Sequence, residues 1–146
     1  MLISVGKLTF LLDANVLSEL TKPRADAGVL TRFKRYRGQV CAAALAYHEL
    51  RFGVSAMPDG ARKTSLALFL DGLLASGLEI LAYDLRAAAW HADERARLQR
   101  VGKPPPFVDG QIAAIAAVND LELVTRNVSD FALFQGLRVK DWASSR

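Results

Sequence analysis

Short, unbroken apolar runs recur along this chain with segments of helical periodicity between them, and no other feature restricts its fold as much. Leu8-Thr9-Phe10-Leu11-Leu12, Gln39-Val40-Cys41-Ala42, Leu78-Glu79-Ile80-Leu81-Ala82 and Leu121-Glu122-Leu123-Val124-Thr125 read as strands, and Leu137-Arg138-Val139 as a shorter fifth. Their hydrophobicity is continuous rather than alternating, which marks strands buried on both faces. The intervening segments repeat apolar residues at helical spacing, as in Leu66, Phe69, Leu70 and Leu73, or Leu85, Ala88, Ala89, Ala92 and Ala96. Strands alternating with helices predict an α/β fold, a parallel sheet of four to five strands covered by helices in three layers. In such a sheet the ligand site lies beyond the carboxyl ends of the strands, where loops converge and helices begin.

Composition supports one folded unit. The chain has 146 residues, 51% of them hydrophobic, enough for a core, and the expectation is a single domain over 1–146. Charged residues make up 23%, which excludes a disordered or fibrous chain. Nineteen Lys and Arg against fifteen Asp and Glu give +4, a balance that suits an anionic partner such as nucleic acid but equally serves solubility. A lone Cys41 in the run Val40-Cys41-Ala42-Ala43 reads as a small buried hydrophobe. No run reaches the roughly 18 apolar residues a bilayer span requires, and Asp13 interrupts the N-terminal run before it resembles a signal peptide. A cytoplasmic protein is expected.

The chemistry is carried by acidic residues at strand ends. Asp13 directly follows the first strand and precedes a short helical stretch ended by Pro23, so it can cap that helix or point into the site. Glu49 falls within the apolar stripe running from Leu45 and Ala46 through Leu50 to Gly53. A carboxylate on that face needs Arg51, Arg86 or a bound cation to neutralise it. Asp109 opens the nearly all-apolar helix Asp109-Gly110-Gln111-Ile112-Ala113-Ala114-Ile115-Ala116-Ala117-Val118, as an N-cap or as a carboxylate at the same sheet edge as Asp13. Beyond the fourth strand, Thr125, Asn127 and Asp130 can all reach inward. Carboxylates gathered from separate elements repel unless something divalent lies between them. Such an oxygen-rich set suits Mg²⁺ or Mn²⁺, which acidify water and offset charge on a phosphodiester.

Four segments occur in order: Leu11-Leu12-Asp13-Ala14-Asn15-Val16-Leu17-Ser18-Glu19, Glu49-Leu50-Arg51-Phe52-Gly53, Asp109-Gly110-Gln111-Ile112-Ala113-Ala114, and Thr125-Arg126-Asn127 with Asp130-Phe131. Together they resemble the motifs of the PIN-domain family, in particular its VapC and FitB-like toxins, over nearly the whole chain. The resemblance implies a metal-dependent endoribonuclease acting as the toxin of a toxin–antitoxin pair. In it Asp13, Glu49 and Asp109 match the family's acidic positions, with Asp13 and Asp109 as Mg²⁺ ligands, Mn²⁺ an alternative, and Glu49 as ligand or water-orienting base. Asn127 stands where many relatives carry a fourth acid, so Asn127, Asp130 or a water completes the set. A homodimer is implied too, as is a VapB-like antitoxin whose helical segment lies near Leu20, Val29, Leu30 and Phe33 and obstructs the acidic pocket.

The remaining signals are blander. His48, one residue before Glu49, points about 100° away from it on a helix, and neither it nor His91 is expected to be catalytic. Basic residues gather at Lys22 and Arg24, at Arg32, Lys34, Arg35 and Arg37, and at Arg95, Arg97, Arg100 and Lys103; the last group is the best placed to meet RNA phosphates. Two rivals stand beside the nuclease. One is an aspartyl-phosphate phosphatase, which would want a second acid where Asn15 stands. The other is a non-catalytic RNA- or protein-binding module with a PIN-like fold.

Overall fold

All five apolar runs become strands of one parallel sheet in the computed structural model, which describes residues 7–144. They are β1 (Phe10–Leu12), β2 (Val40–Ala43), β3 (Glu79–Leu81), β4 (Glu122–Val124) and β5 (Arg138–Lys140). The helices are α1 (Ala14–Glu19), α2 (Ala27–Arg35), α3 (Ala44–Ser55), α4 (Ala61–Ala75), α5 (Leu85–Arg100), α6 (Phe107–Val118) and α7 (Val128–Phe131), with a 3₁₀ turn at Arg37–Gln39. The ends of the expected domain, residues 1–6 and 145–146, lie outside the described residues.

Strand order is β3-β2-β1-β4-β5, so the chain winds outward on one side of β1 and then returns to build the other. Leu11 on β1 is in register with Cys41 on β2 and with Leu123 on β4. The reversal falls between β1 and β4, and in open parallel sheets a crevice forms beyond the strand ends at such a point. Asp13 follows β1 and Thr125 follows β4. The Asp13 amide donates to Val124 O at 2.9 Å, which fixes the two exits side by side.

Successive strand residues face opposite sides of the sheet and build two apolar clusters. Leu11, Cys41 and Leu123 pack with Leu98 of α5 and with Ile112 and Ile115 of α6. Leu12, Ala42 and Val124 pack with Val16, Leu17, Val29 and Trp142. Each fully buried aliphatic side chain contributes about 1.5–3 kcal/mol relative to exposure, so this double-sided filling holds the three layers together. Cys41 is fully buried, and burial pushes its thiol up to about 12, which leaves it an inert filler.

Helix α6 has Gly110 and the run Ile112 to Ala116 buried, as its all-round hydrophobicity required. It begins at Phe107 with Pro106 as its cap, two residues earlier than the Asp109 start read from the sequence. Pro favours a helix's first turn because it has no N–H to satisfy, and here it sits immediately before that turn. Asp109 therefore lies inside the first turn. Residues 141–144 close the far side of the sheet over α2. There Gly28 permits an approach that a Cβ, 2.5 Å from Trp142 O, would forbid, and Asp26 Oδ2 accepts from Val29 N at 3.0 Å and Ser144 N at 2.9 Å.

Candidate active site

Asp13 is the most constrained residue of the site. It is only 8% exposed and caps α1, its Oδ1 accepting the Ala14 amide at 2.8 Å. Its Oδ2 accepts from Thr125 Oγ1 at 2.8 Å and from Asn15 Nδ2 at 3.5 Å. Capping and pointing into the site thus turn out to be one geometry. Burial raises the Asp13 carboxyl above its ordinary value, against the opposing effect of the Thr125 and Ala14 hydrogen bonds.

Thr125 holds this corner together from full burial. While donating to Asp13, its hydroxyl accepts from Asn127 N at 3.1 Å and Asn15 Nδ2 at 3.4 Å. Asn15 in turn accepts from Arg126 N at 3.2 Å. Both ends of the Asn15 amide are therefore occupied in tying β1's exit to β4's. This removes Asn15 from the second-acid role that a phosphatase would need.

Asp109 reaches the same place from the first turn of α6. Its carboxyl is also raised, first by burial and then by the negative charges of Asp13, Asp130 and Glu49, in that order. Four elements, the exit of β1, α3, α6 and α7, thus direct carboxylates toward one region. Among the described residues none of the four makes an ion pair with Lys or Arg.

The placement of Glu49 corrects the sequence reading. It is exposed, not buried in the apolar stripe, because α3 turns Ala46 inward and leaves Leu45 and Leu50 half-buried. The Glu49 side chain lies on the rim of a cleft of about 370 Å³ between α1, α3 and α4, lined also by Asn15, Arg62, Leu66 and Phe69. Neither expected neutraliser meets it: Arg51 donates to Tyr47 Oη at 3.1 Å, and Arg86 to Val118 O and Asn119 Oδ1 at 3.1 and 3.2 Å.

At the fourth position, Asn127 is exposed and serves through its backbone amide. Asp130, in the first turn of α7, is the residue whose charge bears on Asp109. Glu19 is a site-supporting residue that the sequence reading assigned no role. It is 5% exposed and accepts from Arg126 Nη1 at 2.8 Å, Lys22 Nζ at 3.0 Å and Asp26 N at 3.0 Å. Its carboxyl is lowered, chiefly by the Lys22 hydrogen bond and then by the Asp26 amide. Spacing carried the signal: Glu19 follows Val16 by three residues, on the buried face of α1.

Among the described residues no three Asp, Glu, His or Cys side chains come close enough to grip an ion directly. The donor set nonetheless fits a hydrated hard cation. Mg²⁺ is usually held by one or two carboxylates and keeps several waters, and the unrelieved repulsion at Asp109 is what a cation would offset.

A parallel α/β sheet with carboxylates brought together at its switch point defines a class of acidic, hydrolase-like sites. The PIN domain model matches residues 10–134, and the chain belongs to that family. It is 37% identical over 82% of its length to the VapC ribonuclease Y4jK of Sinorhizobium fredii, 88% of which is covered. It is 34% identical over 93% of its length to the tRNA(fMet)-specific endonuclease VapC of Shigella flexneri, with 99% of that protein covered. Among solved structures it is similar to the DNA-bound VapBC of Salmonella typhimurium, with TM-score 0.79, 31% identity and coverage of 93% and 99%. FitAcB of Neisseria gonorrhoeae superposes with TM-score 0.81 and 30% identity, covering 90% of this chain and 96% of that one. The VapC and FitB resemblance read from the motifs is thereby established.

Proposed function

We propose that this protein is a divalent-metal-dependent endoribonuclease acting as the toxin of a toxin–antitoxin pair. The observation that carries the proposal is the convergence of Asp13, Asp109, Glu49 and Asp130 without a cationic partner among the described residues. Relatives named as ribonucleases support the reaction class. Asp13 and Asp109 would hold Mg²⁺, or Mn²⁺ in its place, with Glu49 as a further ligand or as the base that orients water. When bound, the metal supplies positive charge to the phosphodiester oxygens and acidifies water.

The chain's own residues do the rest. Thr125 and the Ala14 amide hold Asp13 in one orientation, so the ligand is in place before the ion arrives. Glu49, exposed at the cleft, would in the second of its two roles accept a proton from attacking water and release it to solvent. Asp130 completes the negative wall. Cations flanking an acidic site favour the approach of RNA, and Arg95 and Arg100 on α5 and Lys103 in the α5–α6 turn are exposed.

The proposed partner is an antitoxin of the VapB kind, since solved relatives are toxin–antitoxin complexes. Phe69 belongs both to the Glu49 cleft and to a second cleft of about 370 Å³ lined by Leu20, Leu30, Phe33 and Leu73. An amphipathic segment laid along them would bury its apolar face and bring a guanidinium to the carboxylates. Val29, expected at that surface, is instead fully buried in the core. A homodimer is the proposed assembly.

Incubating purified, antitoxin-free protein with a small-RNA pool in Mg²⁺, in Mn²⁺ and in chelator tests the proposal. Metal-dependent fragments that disappear in chelator are expected. RNA that binds but is never cut in either metal would replace the nuclease with a binding module.

A further inference from the structure

We propose that His91 is a positioning residue for Asp109: its buried imidazole is the post on which the first turn of α6 is seated, holding the Asp109 carboxylate at the acidic site. This rests on the metal-centre reading above and assigns a role to a residue that reading does not use.

His91 lies on α5 and is 2% exposed. Its Nδ1 is 2.9 Å from the Tyr83 hydroxyl, a contact that sets the rotation of the ring. The ring's opposite edge meets Gly110, the residue after Asp109. A Cβ at position 110 would stand 2.2 Å from His91 Nε2 and 2.6 Å from Cδ2. The same ring meets Phe107 edge to face, with centroids 4.8 Å apart at 61°. Phe107 is in turn overlaid by the Arg95 guanidinium, 5.1 Å from its centroid. The residues two before and one after Asp109 therefore rest on one imidazole, and the carboxylate between them has its backbone held by both.

Two features separate this contact from ordinary core filling. Glycine inside a helix is about 1 kcal/mol worse than alanine, and at position 110 any Cβ would collide with the imidazole, so the close approach depends on glycine. Second, His91 Nε2 is the one buried side-chain nitrogen or oxygen among the described residues without a hydrogen-bond partner. Facing the Gly110 Cα, it is better tolerated as a bare lone pair than as an unmet N–H donor. That assigns the proton to Nδ1, donated to Tyr83, and makes the ring neutral and fixed in one orientation. The ring makes no hydrogen bond to Asp109 and acts by packing, through the backbone on either side of it.

The test is calorimetric titration of Mn²⁺ into the full-length, metal-free protein, alongside thermal melting and RNA cleavage, for the parent, His91→Ala, Gly110→Ala and the double variant. Expected is a parent that binds, with His91→Ala and Gly110→Ala each about tenfold weaker or worse, roughly 1.4 kcal/mol, while still melting cooperatively. The double variant should bind more tightly than Gly110→Ala alone, because the new methyl group enters space the imidazole has vacated. Cleavage should fall in kcat with KM little changed. If His91→Ala lowers the melting temperature but binds Mn²⁺ like the parent, the ring only fills the core and the assignment is wrong. Should Gly110→Ala fail to fold, His91→Ala alone still decides. A parent that binds no Mn²⁺ overturns the metal-centre reading itself, and this assignment with it, a result that cannot be confused with the previous one.

Discussion

Replacing Asp109 by Asn should make the metal-free protein more stable while disabling it. The Asp109 carboxyl is raised by burial and then by Asp13, Asp130 and Glu49, so its ionised form is disfavoured in the folded protein. One opposing effect is favourable: a negative charge in a helix's first turn gains about 0.3–1 kcal/mol from the helix dipole. Burial and then the three neighbouring carboxylates act against it, and the direction they give the carboxyl is upward. Relieving such a site typically yields roughly 0.5–2 kcal/mol, with solvent screening of a half-buried group favouring the lower half. For a chain of this size, 1 kcal/mol moves the melting temperature by about 2–4 °C, so a rise of some 2–4 °C is expected at neutral pH.

The pH dependence follows from the sign of the shift. A carboxyl raised on folding penalises the native state above its folded value, and the penalty fades as pH falls through that value toward the unfolded one near 3.9. The variant's advantage should therefore shrink on acidification. Added Mg²⁺ should reverse the order, because an ion at 100 times its dissociation constant stabilises by about 2.7 kcal/mol and the variant has lost a ligand. Differential scanning calorimetry at pH 7 and pH 4.5, with and without Mg²⁺, reads all three. A variant less stable than the parent by 1 kcal/mol or more in metal-free buffer would refute the reasoning, since the carboxylate would then be supporting the fold.

Thr125→Val keeps the shape of a fully buried side chain but removes the donor to Asp13 and the acceptor for the Asn127 amide. Hydrogen bonds to charged groups contribute about 1.5–3 kcal/mol, so denaturant titration should show a loss of that size and cleavage should drop with it; unchanged cleavage would show that Asp13 needs no such support. Glu19→Gln weakens the link from α1 to Arg126 and Lys22. Both cations are partly exposed, so the loss should be about 1–2 kcal/mol, present at neutral pH and fading as pH falls from about 4.3, where the unfolded glutamate protonates, through the lowered folded value; a melting difference that does not shrink on acidification would contradict it.

Sheet and layers were legible in the sequence because a parallel strand buried on both faces leaves a continuous apolar run, as Leu8 to Leu12 and Leu121 to Thr125 do. Asp13 was legible for a related reason: a polar residue ending such a run must sit at a strand's carboxyl end. Glu49 was harder. Periodicity gives a helix's apolar stripe but not where its edge falls, and one helical step separates a buried charge from a rim charge. The first two residues of α6 are harder to read because Phe107 and Val108 follow the Pro106 cap on its exposed side, outside the buried apolar run that marks the helix. The roles of Thr125 and Glu19 depend on partners more than 100 residues away in sequence, which no local pattern encodes. The sequence marks His91 only as a non-catalytic residue, and its contact with Gly110 emerges only once α5 and α6 are packed.

If Asp13 and Asp109 make a metal-dependent nuclease, RNA cleavage across a Mg²⁺ titration will separate the parent from Asp13→Asn and Asp109→Asn, with folding of each checked by melting. Cutting by the parent should rise with Mg²⁺ and be abolished in both folded variants. Cutting that survives both substitutions would contradict it.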